Sequence, residues 1–206
     1  MSDKEAAPIT ELAEIYLPSQ VVIDRARIKD RDAAMRIAHH DPEDFWAAQA
    51  DNLDWYKKWD KVLDDSNKPF FKWFSGGKFN IVHNALDRHM TTARRNKIAY
   101  IWEGEDGSQR NVSYFELNQM VSKFANVLKS KGVKKGDRVT IYMGRVPELP
   151  AAMLACAKIG AIHSVVYGGF SVEALRGRII DSQSEVLVTC DGAYVNNKVV
   201  EMKGIV

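Results

Sequence analysis

The chain has 206 residues, 46% of them hydrophobic, enough for one large domain or one and a half small ones with an ordinary globular core. Its 29 basic and 27 acidic residues leave a net charge of +2, so charge gives no general pull toward nucleic acid or an anionic membrane. No apolar run reaches the roughly 18 residues of a membrane span, and MSDKEAAPITELAEIY has no apolar signal core. The two cysteines, Cys156 and Cys190, sit singly in apolar segments, which suits a reducing cytoplasm rather than a disulfide framework.

The first 36 residues are polar, with Leu17-Pro18-Ser19 reading as an extended arm or turn and a short helix expected over Asp30 to His39. His39-His40 has no further His or Cys at ligand spacing and reads as a solvated pair; no metal site is expected. Asp41-Pro42-Glu43-Asp44 begins a clear helix: an N-cap, a proline at the first helical position, then acids in the first turn. Phe45, Trp46, Trp55, Tyr56 and Trp59 are expected to continue it as a helical or helix-turn-helix segment. Such rings can stack bases, but among mixed charges packing is the better reading.

Pro69 to Asn80 is aromatic and then glycine-rich. Gly76-Gly77-Lys78 lacks the spacing of a phosphate loop and reads as a turn. A helix is expected from about Asn84, with Leu86 and Met90 on one face. Lys97 to Tyr114 reads as a β-hairpin turning at Glu105-Asp106-Gly107. Ser113-Tyr-Phe-Glu116 is a capping box, and Leu117, Met120, Val121, Phe124 and Leu128 form the apolar stripe of the helix it opens. Gly132 can close that helix; the lysines at 129, 131, 134 and 135 read as its solvated end.

From Asp137 the pattern is strand, helix, strand, helix, strand: Arg138–Met143, Pro147–Lys158, Ala161–Tyr167, Ser171–Asp181 and Glu185–Cys190. The expected fold is α/β, a mostly parallel sheet with flanking helices, preceded by an aromatic-rich helical or extended segment and a β-hairpin. The expected division is 1–96 and 97–206. In a parallel sheet the loops after the strand ends collect at one edge, where ligands bind. Those loops are Gly144-Arg145-Val146, Gly168-Gly169-Phe170 and Asp191 to Lys198. Gly168 and Gly169 let a ligand approach the backbone, and the helix start at Ser171 favours an anion; equally, the two glycines suit a tight strand-to-helix turn. His163 reads as a core histidine and the cysteines as core residues, and no catalytic constellation can be assembled.

WFSGGKFNIVHNALDRHM, KKGDRVTIYM, PELPAAMLACAKIGAIHSVVYGGFSVEALRGRIIDS and VLVTCDG resemble the N-terminal region of AMP-forming acetyl-CoA synthetases, within the acyl-adenylate-forming ligases. The similarity runs from about Tyr16 onward and extends to propionyl-CoA synthetases. It implies ATP, CoA and a short carboxylate, most simply acetate, as substrates, with Mg²⁺ in the full-length enzyme. It also implies that the ATP loop, acyl pocket and adenylation lysine lie beyond Val206, so the chain reads as a truncated piece expected to form no acyl-AMP alone. Within it, Tyr167, Gly168 and Gly169 match residues lining the CoA nucleotide site. Val195 and Lys198 match a pair of basic residues that meets CoA phosphate. Lys198 keeps its charge, whereas Val195 does not. Gly144-Arg145 also departs from the usual proline and apolar residue. A cytoplasmic ligase is thus the leading expectation, with a non-catalytic CoA- or nucleotide-binding module as the rival.

Overall fold

The computed structural model describes residues 17–196 and 198–206. The polar start of the chain through Tyr16, and Asn197, lie outside the described residues. The chain divides into two compact units, one ending at Ala50 and the other starting at Asp51. The boundary read from sequence at 96/97 falls inside the second unit.

In the first unit, α1 (Gln20–Arg25) follows the expected arm and has no counterpart in the sequence reading. Helix α2 (Arg31–His40) is capped by Asp30, whose carboxylate accepts from the Ala33 amide at 2.8 Å. Helix α3 (Pro42–Ala50) starts at the predicted proline, and Asp41 Oδ1 accepts from the Asp44 amide at 3.1 Å.

The second unit departs from the sequence pattern at its start. Trp55, Tyr56 and Trp59 do not continue a helix. Trp55 packs on Trp59, Phe74 and Phe79 at centroid distances of 5.0, 5.6 and 4.8 Å. Those partners hold the segment in a non-helical path, and tertiary packing overrides local periodicity. Strands β1 (Lys61–Asp64) and β2 (Lys72–Ser75) form an antiparallel hairpin that the short runs KVLD and KWFS did not announce. The Gly76-Gly77 turn then packs tightly: a Cβ on Gly77 would lie 2.7 Å from the Trp55 ring.

Helix α4 (Ile81–Ala85) starts three residues before the expected Asn84 and ends before Leu86 and Met90, which flank a separate 3-10 turn at Asp87–His89 and not one face of this helix. Asn80 caps it, its side-chain oxygen accepting from the Val82 and His83 amides at 2.8 and 3.3 Å. Strands β3 (Ile98–Glu103) and β4 (Gln109–Ser113) make the predicted hairpin. Helix α5 (Tyr114–Ser130) has the full capping box, and Gly132 follows it at φ 86°.

Three parallel strands form the central sheet: β5 (Arg138–Met143), β6 (Ile162–Tyr167) and β7 (Val186–Thr189), in the order β6-β5-β7. They alternate with α6 (Glu148–Ile159) and α7 (Val172–Ser182). The chain steps from β5 outward to β6, then back across β5 to β7. Right-handed crossovers in opposite directions place α6 and α7 on opposite faces. The cores agree. Val139 and Ile141 pack with Leu117, Val121 and Leu128 of α5 and Ala151, Ala155 and Cys156 of α6, while Tyr142 packs with Leu175 of α7. Successive strand residues point to opposite faces, so one strand serves both cores.

The predicted loop from Asp191 to Lys198 is instead mostly a hairpin. Strands β8 (Ala193–Val195) and β9 (Lys198–Val200) pair antiparallel, with Val195 opposite Lys198 and Asn196 at φ 52°. Asparagine tolerates that left-handed geometry, which is why a turn forms here without glycine. A short helix, α8 (Met202–Ile205), follows. Among the described residues no helix is long and apolar enough to cross a membrane.

Candidate nucleotide-binding edge

The order β6-β5-β7 makes the C-terminal end of β5 a topological switch point, where open α/β sheets receive their ligands. Three segments meet there: Gly144-Arg145-Val146 after β5, Gly168-Gly169-Phe170 after β6, and the β8–β9 hairpin after β7. The parallel register puts Met143 beside Tyr167, so the first two loops leave the sheet side by side.

Tyr142, with no exposed surface, holds the glycine turn from beneath. Its hydroxyl is 3.2 Å from the carbonyl oxygens of both Gly168 and Phe170. Burial pushes its phenol above the ordinary tyrosine range, so it stays a donor at neutral pH. The turn needs its glycines for packing. A Cβ on Gly168 would lie 3.0 Å from Met202 Cε and 3.3 Å from the Met143 carbonyl; one on Gly169 would lie 2.7 Å from the Tyr167 ring. Ser171 caps α7, accepting from the Ala174 amide at 3.3 Å.

Gly144 serves the same end in the neighbouring loop. A Cβ there would overlap the Cβ of Ala193, so its absence lets the β5 loop lie against the base of the β8–β9 hairpin. The Arg145 carbonyl accepts from the Trp102 indole at 2.7 Å, tying the loop to β3. Above this floor the Tyr167 ring is 52% exposed. Phe170 meets it edge-on at 5.7 Å, the Arg145 guanidinium lies 5.8 Å from its centroid, and Arg178 lies 4.4 Å from the Phe170 centroid.

Of the five residues singled out in the sequence, Tyr167, Gly168 and Gly169 share this edge. Val195 and Lys198 share the tip of the hairpin whose base touches Gly144. Val195 is half-buried and Lys198 exposed. A separate open cleft of about 630 Å³ lies among Asp191, Gly192, Ala193, Tyr194, Val199, Glu201, Lys203 and Gly204. None of the five lines it, and two carboxylates against one lysine do not suit a phosphate.

The thiols occupy core positions. Burial pushes the Cys156 thiol up to about 11, far from a reactive thiolate. Cys190 is half-buried with its sulfur 3.6 Å from that of Met202. His163 is half-buried in β6. Among the described residues no group of three or more His, Cys, Asp or Glu side chains is placed to hold a metal ion. The sequence reading missed the Tyr142 hydroxyl, the Gly144–Ala193 contact and the ring-and-guanidinium cluster. The Asn196-Asn197 pair between Ala193-Tyr-Val195 and Lys198-Val-Val200 was a readable hairpin signal.

Comparison with known proteins accords with this layout. The family model for the acetyl-coenzyme A synthetase N-terminus matches residues 32–85, and that for AMP-binding enzymes matches residues 86–205. The chain is 49% identical over 202 residues to acetyl-coenzyme A synthetase of Wolinella succinogenes, covering 96% of this chain and 31% of that protein. It is 44% identical over 207 residues to that of Pyrobaculum aerophilum, covering 94% and 31%. It is 53% identical over 164 residues to that of Leptospira biflexa, covering 79% and 25%. The chain therefore spans under a third of the length of these relatives. With the second family model matching more than half of its residues, this chain belongs to the AMP-binding enzyme family.

Proposed function

We propose that this chain serves an acetate–CoA ligase of the acyl-adenylate type, and that residues 97–206 form the βαβαβ part of its large AMP-binding domain. An acetate oxygen attacks the α-phosphorus of ATP and pyrophosphate leaves with the bonding pair. The CoA sulfur then attacks the acyl carbon of acetyl-AMP and AMP leaves, the thiol proton passing to solvent. Mg²⁺, which the family resemblance implies, would be held largely by the ATP phosphates; among the described residues no group of three or more His, Cys, Asp or Glu side chains is placed to hold a metal ion.

The part assigned here is one wall of the CoA nucleotide site. The observation that carries it is the exposed Tyr167 ring beside a two-glycine turn at the sheet's switch point, the turn pinned from below by Tyr142. An aromatic face takes a purine, backbone without Cβ admits it closely, and nearby cations meet its phosphates. Lys198 supplies one cation from the hairpin tip. Calorimetric titration with CoA tests the reading. Saturable binding is expected, weakened about tenfold in Lys198→Ala, as befits one charge-assisted hydrogen bond of roughly 1.5 kcal/mol. An absence of heat at millimolar CoA contradicts it.

A further inference from the structure

We propose that Arg145 is the second anion-binding residue of this edge, its guanidinium taking a phosphate of the adenine nucleotide whose base packs on Tyr167. The inference rests on the CoA reading above. Three observations on this chain carry it.

The first is position. Arg145 stands two residues past the C-terminal end of β5, in the loop beside the one that bears Tyr167, and its guanidinium lies 5.8 Å from that ring's centroid. A guanidinium can lie over an aromatic ring and still present N–H groups to an anion, which a lysine ammonium does less well. A ligand packing on Tyr167 therefore brings its phosphates within reach of this side chain.

The second is that the charge is uncommitted. Among the described residues, the Arg145 side chain makes no ion pair and no hydrogen bond to a carboxylate, whereas Arg110 is paired with Glu148 at 2.9 Å and Lys158 with Asp87 at 2.6 Å. Arg145 is exposed, so the charge is held without a desolvation penalty until a ligand arrives.

The third is that the backbone under it is fixed. The Arg145 carbonyl accepts from the Trp102 indole at 2.7 Å, Gly144 packs on Ala193, and the Val146 amide bonds the Gly144 carbonyl at 2.9 Å. Only the side chain has to be ordered on binding, which lowers the entropy cost. The hairpin base and Arg145 thus adjoin through Gly144. The hairpin itself carries valine at 195 and a cation at 198, and Arg145 adds a second cation beside Tyr167.

Affinities of the 206-residue chain for CoA and for 3′-dephospho-CoA decide the matter, measured on wild type, Arg145→Ala and Arg145→Lys. The alanine variant keeps the backbone bond to Trp102, and its thermal midpoint is expected to match wild type. Its CoA affinity is expected to fall about tenfold, with the lysine variant in between. If Arg145 holds the 3′-phosphate, removing that phosphate weakens wild type and leaves the alanine variant unaffected. If it holds the diphosphate, Arg145→Ala weakens both ligands alike. Either pattern supports the proposal. Equal CoA affinity in wild type and Arg145→Ala overturns it while leaving the CoA site standing. No CoA binding by wild type overturns the site itself and this residue's role with it.

Discussion

Replacing Asn84 with alanine is expected to lower the unfolding free energy by about 2 kcal/mol. Asn84 is only 5% exposed. Its side-chain oxygen accepts from the Asp54 amide at 2.8 Å and from Arg88 at 3.1 Å. Its side-chain nitrogen donates to the carbonyls of Asp54 at 3.0 Å and Asn80 at 3.2 Å. An amide side chain has two donors and two acceptor lone pairs, so this one is fully used. Alanine removes the partner of both the amide and the carbonyl of Asp54; Asp54 is itself exposed, so water offsets part of the roughly 1–3 kcal/mol that each fully buried unmet group costs. Asn84→Asp turns an acceptor-only carboxylate oxygen toward the Asp54 and Asn80 carbonyls at a buried position, so it should cost at least as much as alanine. Urea unfolding followed by tryptophan fluorescence suits the test, because the same segment positions Trp55 against Phe74 and Phe79. A loss under about 0.5 kcal/mol, the range of an ordinary surface change, would remove Asn84 from the account.

Gly144→Ala is expected to cost about 2 kcal/mol, because the new methyl must displace either the β5 loop or the β8–β9 hairpin. At this chain length that is a fall of roughly 4–8 °C in melting temperature. The obstacle is a single atom, the Cβ of Ala193, and the nearest backbone atom to the added methyl is 3.6 Å away. The double variant Gly144→Ala with Ala193→Gly should therefore recover most of the loss, and the double-mutant cycle measures that contact directly. Additive losses would show that Gly144 is needed for its backbone and not for its closeness to the hairpin.

The elements that the sequence announced are those decided within a few residues. Ser113 and Glu116 cap each other, Asp41 and Ser171 open their helices, and Gly160 at φ 78° ends α6. The β-α-β-α-β alternation from 138 to 189 follows from the same local signals, which is why its strands and helices fall within a residue or so of their expected bounds. Strand order is different in kind. That β7 returns to the far side of β5 depends on which edge remains open once β6 has paired, and no local pattern encodes that. The same holds for the 51–79 segment. Trp55 and Trp59 sit at helical spacing, yet their partners Phe74 and Phe79 lie some turns later in the chain and hold it out of a helix.

The edge divides along the same line. Tyr167, Gly168 and Gly169 stood out because a β-branched run, two glycines and a serine N-cap follow one another directly. The features that shape the turn were hidden. Tyr142 lies 26 residues from Gly168, and the Gly144–Ala193 contact joins the end of β5 to the start of β8. Arg145 was visible only as an unusual residue, since its approach to Tyr167 follows from the pairing of β5 with β6.

The central claim is that a CoA nucleotide lies on the C-terminal edge of this sheet. Its most direct test is a map of backbone amide chemical shifts as CoA is titrated into the isotope-labelled chain. The largest changes are expected on Arg145, on Gly168, Gly169 and Phe170, and on Lys198 at the hairpin tip. Changes confined to the cleft around Tyr194, Glu201 and Lys203, or none at millimolar CoA, would contradict it.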